Sequence, residues 1–141
     1  MSIVAHLAHL TPILDRLDSW VRCHTLPIVI LLQGELGSGK TTLVQRFCQA
    51  HRAPQATSPT FSVMHTYPAE DFCIYHYDFY LKEIHELLEM GVLESLECKG
   101  VHFVEWGSDA LKEMLIKLGF SVLTLELQIH QEARIYRFSD G

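Results

Sequence analysis

The run Gly34-x-x-x-x-Gly39-Lys40-Thr41 sets glycines, a lysine and a hydroxyl at the spacing of a phosphate-cradling Walker A loop. Glycines at 34, 37 and 39 let the backbone curl tightly and bring its N–H groups within reach of phosphate oxygens. A helix that starts there turns its positive end toward the same anion. Lys40 reaches the β- and γ-phosphates, and the Thr41 hydroxyl can coordinate Mg²⁺. The context is the required one, with the apolar run Ile28–Gln33 before the loop and the helical pattern of residues 41–51 after it.

A nucleoside triphosphatase also needs an acid for the metal and a group that senses the γ-phosphate. Asp78 and Glu105 each end a strand-like apolar stretch. If both strands neighbour the one that leads into the loop, both carboxylates face the metal: one holds Mg²⁺ and the other orients water. The sensor candidate is Thr60 in Ser58-Pro59-Thr60, between the loop's helix and the next strand, where nucleotide switches sit. A plain turn leading into a strand is the competing reading of that tripeptide. The chain contains no asparagine, so the Asn-Lys-x-Asp guanine reader cannot exist, and ATP is favoured over GTP. Its six arginines are scattered and offer no basic lid of the kind that small-molecule kinases close over two substrates.

The elements that must position these groups alternate along the chain. Leu10–Val21 has helical spacing, with Thr11 expected as N-cap and Pro12 as first helical residue. Ile28–Gln33 reads as a strand buried on both faces. After the loop come a helix ending near Pro54, strands over Phe61–Tyr67 and Phe72–Tyr80 joined by a turn, and a helical stretch over 82–97 interrupted near Gly91. Val101–Trp106 reads as another buried strand, Ser108 as the cap of the helix after it, and residues 121–138 as a hairpin. This order predicts an α/β fold of P-loop NTPase type: a three-layer α/β/α sandwich whose central sheet is mostly parallel, with an antiparallel C-terminal hairpin. The 141 residues are expected to form one domain, 1–141, with the ligand at the carboxyl ends of the strands.

Composition narrows the function. A formal net charge of −6 argues against a chain that grips nucleic acid or anionic lipid by itself. No apolar run reaches the ~18–20 residues that span a bilayer, and the first residues lack a basic leader, so a cytoplasmic protein is expected. Cys23, Cys48, Cys73 and Cys98 are read as free thiols, and the nine histidines show no metal-ligand spacing.

The segments GELGSGKTT, SPTF, HYDFY, GVLESLE and VHFVEW, in this order, resemble the bacterial TsaE (YjeE) family from about Ile28 to Trp106. The resemblance implies a P-loop ATPase that works with the partners TsaB and TsaD. Together they make N6-threonylcarbamoyladenosine at adenosine 37 of tRNA, with the chemistry on the TsaD side and ATP hydrolysis keeping the assembly turning over. It implies that Gly37, Ser38, Gly39, Lys40, Thr41 and Thr42 hold the phosphates, and that Thr41 and Glu105 ligate Mg²⁺. Asp78 would support hydrolysis, Thr60 would belong to the switch, and Thr11 and Arg134 would lie near the nucleotide. tRNA would be met through the complex, and no membrane is involved. The chain departs from the family pattern at Leu81-Lys82, where an arginine is usual, and at Gly107-Ser108-Asp109 after the Glu-Trp pair. The alternatives carried beside this reading are a small-molecule kinase and a non-hydrolysing nucleotide-binding module.

Overall fold

The computed structural model describes residues 1–53 and 63–141. Its elements in chain order are β1 (Ser2–His6), α1 (Thr11–Arg22), β2 (Ile28–Gln33), α2 (Lys40–Ala50), β3 (Met64–Pro68), β4 (Cys73–Asp78), α3 (Ile84–Glu89), α4 (Val92–Leu96), β5 (Val101–Glu105), α5 (Asp109–Lys117), β6 (Ser121–His130) and β7 (Ala133–Asp140).

The apolar run of β2 divides the core by strand alternation. Ile28, Ile30 and Leu32 pack with Ile13 and Leu17 of α1 and with Leu43 and Phe47 of α2. Val29 and Leu31 point the other way, into the cluster that holds Leu87 of α3, Leu96 of α4, and Leu111 and Leu115 of α5. Helices therefore cover both faces of the sheet, the three-layer arrangement expected of a buried parallel strand. The order is β1-β7-β6-β2-β5-β4-β3. β6, β2, β5 and β4 run parallel, while β3 at one edge and β7 and β1 at the other pair antiparallel.

Several elements lie where the residue pattern puts them. Gly91, at φ 85°, separates α3 from α4. The Ser108 hydroxyl accepts from the Leu111 N–H at 3.1 Å and caps α5. Others are shifted. Leu10, not Thr11, is the N-cap of α1: its carbonyl accepts from the Ile13 and Leu14 N–H groups while its side chain is buried. Thr11 is the first helical residue and is exposed, because burying Leu10 moves the helix start back by one. β4 and β5 stop at Asp78 and Glu105, short of Tyr80 and Trp106. Leu81 and Trp106 adopt φ near +60°, which turns the chain out of each strand. Residues 61 and 62 of the expected third strand lie outside the described residues, and Met64–Pro68 is its described part. β1 was not expected. It is a short, largely exposed edge strand, and such a stretch has too little periodicity to read before its partner β7 is known.

A buried polar chain ties β4 and β5 to α4. His102 is fully buried. Its Nε2 lies 2.8 Å from the Cys98 carbonyl, which can only accept, so Nε2 carries the proton. Nδ1 is then the acceptor for the Tyr77 hydroxyl at 2.8 Å, and the Ser95 hydroxyl lies 2.9 Å from the same phenol oxygen. Burial pushes the His102 imidazole down to about 4, against the small upward pull of the Cys98 carbonyl. An unfolded chain takes up this proton near 6.5, so between those values the unfolded state binds more protons and stability falls as pH falls. The shift corresponds to a loss on the order of 3 kcal/mol, complete once the pH is below the folded value. Denaturant melts at about pH 7 and pH 4.5 are expected to differ by roughly 2 kcal/mol less in His102→Gln than in the unaltered chain. Equal pH dependence in the two proteins would refute the assignment.

Candidate nucleotide-binding site

The turn from β2 into α2 carries the loop. Gly34, at φ 152°, lies so close to the β6 backbone that an added Cβ would stand 2.6 Å from the Leu127 carbonyl oxygen. Gly39, at φ 105°, is the N-cap of α2 and has no side chain to occupy the first N–H groups of that helix. Those donors and the positive end of the helix face a cavity of about 300 Å³. The Ser38 side chain is fully buried beneath the loop, and its hydroxyl has no partner among the described residues.

The strand registers bring the acids to this cavity. Parallel pairing sets Leu32 beside Glu105 and Asp78 beside Glu105, so the carboxyl ends of β2, β5 and β4 lie level. Glu105 is buried, at 5% exposure. The Thr41 hydroxyl donates to its Oε2 at 2.8 Å, and His76 Nε2 hydrogen-bonds to the same oxygen. Burial alone would raise the Glu105 carboxyl. The hydrogen bond and charge of His76, the Thr41 hydroxyl and the Lys40 ammonium outweigh it and hold the group below its ordinary value. Asp78 accepts the Tyr80 N–H at 3.1 Å, which fixes its carboxylate in the cavity wall.

Lys40 is 5% exposed and folds back on the loop, donating to the Gly34 carbonyl at 2.5 Å and the Glu35 carbonyl at 3.2 Å. Its ammonium also lies 4.2 Å from the centre of the Trp106 ring. Burial draws the ammonium below its usual range, opposed by the charges of Glu105 and Asp78. Hydrogen-bonded to neutral carbonyls, this cation can be exchanged onto a phosphate without breaking an ion pair.

Of the residues singled out in the sequence, Gly37 to Thr42, Asp78 and Glu105 all line this one cavity. Trp106 lines it too, with its ring 5.0 Å from that of Tyr80. Thr60 lies outside the described residues. Thr11 is exposed and does not line the cavity; Leu7, just after β1, occupies that side. Arg134 does not line the cavity; its guanidinium donates to the loop carbonyls of Ser38 at 3.0 Å and Gly37 at 3.4 Å. Sequence reasoning missed Leu7 and the role of His76. The His-x-Asp spacing in β4 was the available signal for the latter, because residues two apart in a strand share a face. Together the site offers backbone donors and a lysine for polyphosphate, a hydroxyl and a carboxylate for a hard cation, and a second carboxylate beside them.

Comparison with known proteins supplies the context. Residues 6–137 match the family model described as "Threonylcarbamoyl adenosine biosynthesis protein TsaE". A protein of Rickettsia prowazekii named tRNA threonylcarbamoyladenosine biosynthesis protein TsaE is 33% identical over 122 residues, covering 78% of this chain and 82% of its own length. Proteins of the same name from Rickettsia conorii and Bacillus subtilis are 39% and 35% identical over 92 and 79 residues, or 62% and 55% of this chain. Those two matches span about half the length of each relative, 50% and 49%. Among solved structures, Bacillus subtilis YdiB superposes with a TM-score of 0.64 at 20% identity, over 99% of this chain and 86% of that one, which shows a shared fold.

Proposed function

The chain belongs to the TsaE family of tRNA threonylcarbamoyladenosine biosynthesis, and from that premise we propose that it is a Mg²⁺-dependent ATPase that drives or resets a TsaB–TsaD assembly. The assembly would make N6-threonylcarbamoyladenosine at adenosine 37 of tRNA. The observation that carries this reading is the convergence of Lys40, Thr41, Asp78 and Glu105 on one cavity at the ends of three level strands.

A magnesium site fits the residues present. The Thr41 hydroxyl and the buried Glu105 carboxylate are hard oxygen donors 2.8 Å apart, the donor type this cation takes. Thr41 and Glu105 would hold it, and bound there it would neutralise charge on the β- and γ-phosphates. Residues Gly37 to Thr42 would cradle the phosphates, with Lys40 leaving its loop carbonyls to pair with them. Asp78, held by the Tyr80 N–H, would orient the attacking water. Among the described residues no arginine lines the cavity, so the charge that completes the site would come from a partner. Turnover by the chain alone would then be slow. No helix among the described residues is long and apolar enough to cross a membrane, and action in the cytoplasm belongs to this reading. The net charge of −6 leaves most of the affinity for tRNA to the partners.

The test is inorganic phosphate release from ATP by the chain alone and after its organism's TsaB and TsaD are added. Slow release that rises several-fold with the partners is the expected result. Equal rates with and without them would sink the coupling, and phosphate found on a small acceptor would make the protein a kinase.

A further inference from the structure

Among the described residues, His76 is a buried side chain of the site to which the proposed function assigns no role. It lies two residues before Asp78 on the same face of β4, at 9% exposure, and its Nε2 hydrogen-bonds to Glu105 Oε2. Glu105 borders both the phosphate cavity and a second one of about 400 Å³. Thr41 and Asp78 also border both, while Lys40 borders only the first and His76 only the second, so the ammonium and the imidazole meet the carboxylate from different cavities.

The two donors on Oε2 are not equivalent. Thr41 belongs to the first turn of α2, and its hydroxyl has a single proton. In the proposed site that hydroxyl also offers a lone pair to the cation, so it is shared between the cation and Glu105. His76 stands on β4, paired between β5 and β3, and serves the carboxylate alone. A buried carboxylate that loses its strand-held donor would be free to turn away from the cation.

We infer that His76 is a positioning residue that holds the Glu105 carboxylate in place to receive the divalent cation of the nucleotide. The inference rests on the Mg²⁺-ATPase reading of the same site. Outer partners of this kind affect metal affinity by ~10–100-fold. They leave metal-free binding of the phosphates to the loop unchanged.

The experiment uses Mn²⁺ as probe. Free Mn²⁺ is followed by its paramagnetic resonance while it is titrated into the full chain saturated with ADP, for the unaltered protein, His76→Ala and His76→Gln. ADP binding in chelator is measured by calorimetry on the same samples. The glutamine amide reaches the position of Nε2 and can donate to Oε2; alanine cannot. Expected are a ~10–100-fold loss of Mn²⁺ affinity in His76→Ala, recovery of most of it in His76→Gln, and ADP affinity in chelator within about twofold throughout. If His76→Ala does not fold, His76→Asn, whose amide stops short of the carboxylate, takes its place with the same expected loss. Unchanged Mn²⁺ affinity overturns the inference, as does a glutamine variant no better than alanine. An equal loss of ADP affinity in chelator also overturns it, since His76 would then serve the fold rather than the cation. If the unaltered protein binds Mn²⁺ no better with ADP than ADP does by itself, the cation site fails and His76's role fails with it. Tight binding that ignores His76 overturns the positioning role alone.

Discussion

Lys40→Ala is expected to lower phosphate release from ATP by about 10²–10³-fold, the scale seen when one preorganised electrostatic donor is removed from a site. The ammonium is nearly buried, and in the structure it donates to the carbonyls of Gly34 and Glu35. Exchanging those neutral acceptors for phosphate oxygens gives a charge-assisted bond in a partly desolvated cavity, where such bonds are strongest. Alanine also leaves the two carbonyls without their donor and removes the cation over the Trp106 ring. Indole fluorescence is therefore a second readout. The measurement is phosphate release with partners present, with thermal unfolding to show that the variant folds. Turnover within about threefold of the unaltered protein would remove Lys40 from the mechanism, because an effect that small is near the level of an ordinary surface change.

Glu105→Gln is expected to reduce turnover on the same scale, about 10²–10³-fold, by a different route. The amide keeps the size of the carboxylate and can still accept from His76 or Thr41, but it offers the cation no negative charge. ADP binding in chelator should then persist while Mg²⁺ dependence is lost. That pattern separates this variant from Lys40→Ala, which should weaken nucleotide with or without metal. Turnover unaffected by Glu105→Gln would leave Asp78 as the acid that serves the metal, whereas no phosphate release by either protein would point to a module that does not hydrolyse its nucleotide. Phosphate release across a Mg²⁺ titration, set beside calorimetry of ADP, decides among these outcomes.

Much of this was legible in the residues before any fold was known, because it depends on neighbours in the chain. Glycines at 34, 37 and 39 can only mean a tight backbone path. The uninterrupted apolar run of β2 demands cover on both faces, and helices supply it. Ser108 caps its helix and Gly91 splits another for reasons contained within a few residues. Asp78 and Glu105 could be chosen as acids at strand ends because the apolar stretches before them are long enough to read.

Where the tertiary structure decided, the contacts are distant in sequence. Thr41 and Glu105 lie 64 residues apart, and His76 and Glu105 lie 29 apart. Only the parallel register of β2, β5 and β4 brings them to one oxygen atom. The same holds for Leu7, which reaches the cavity because β1 pairs with the far end of the chain, and for Arg134, which meets the loop from β7. Local chemistry therefore determined that a glycine-rich loop and two strand-end acids exist. The pairing of strands, set by which apolar faces can be buried together, decided which side chains stand around them.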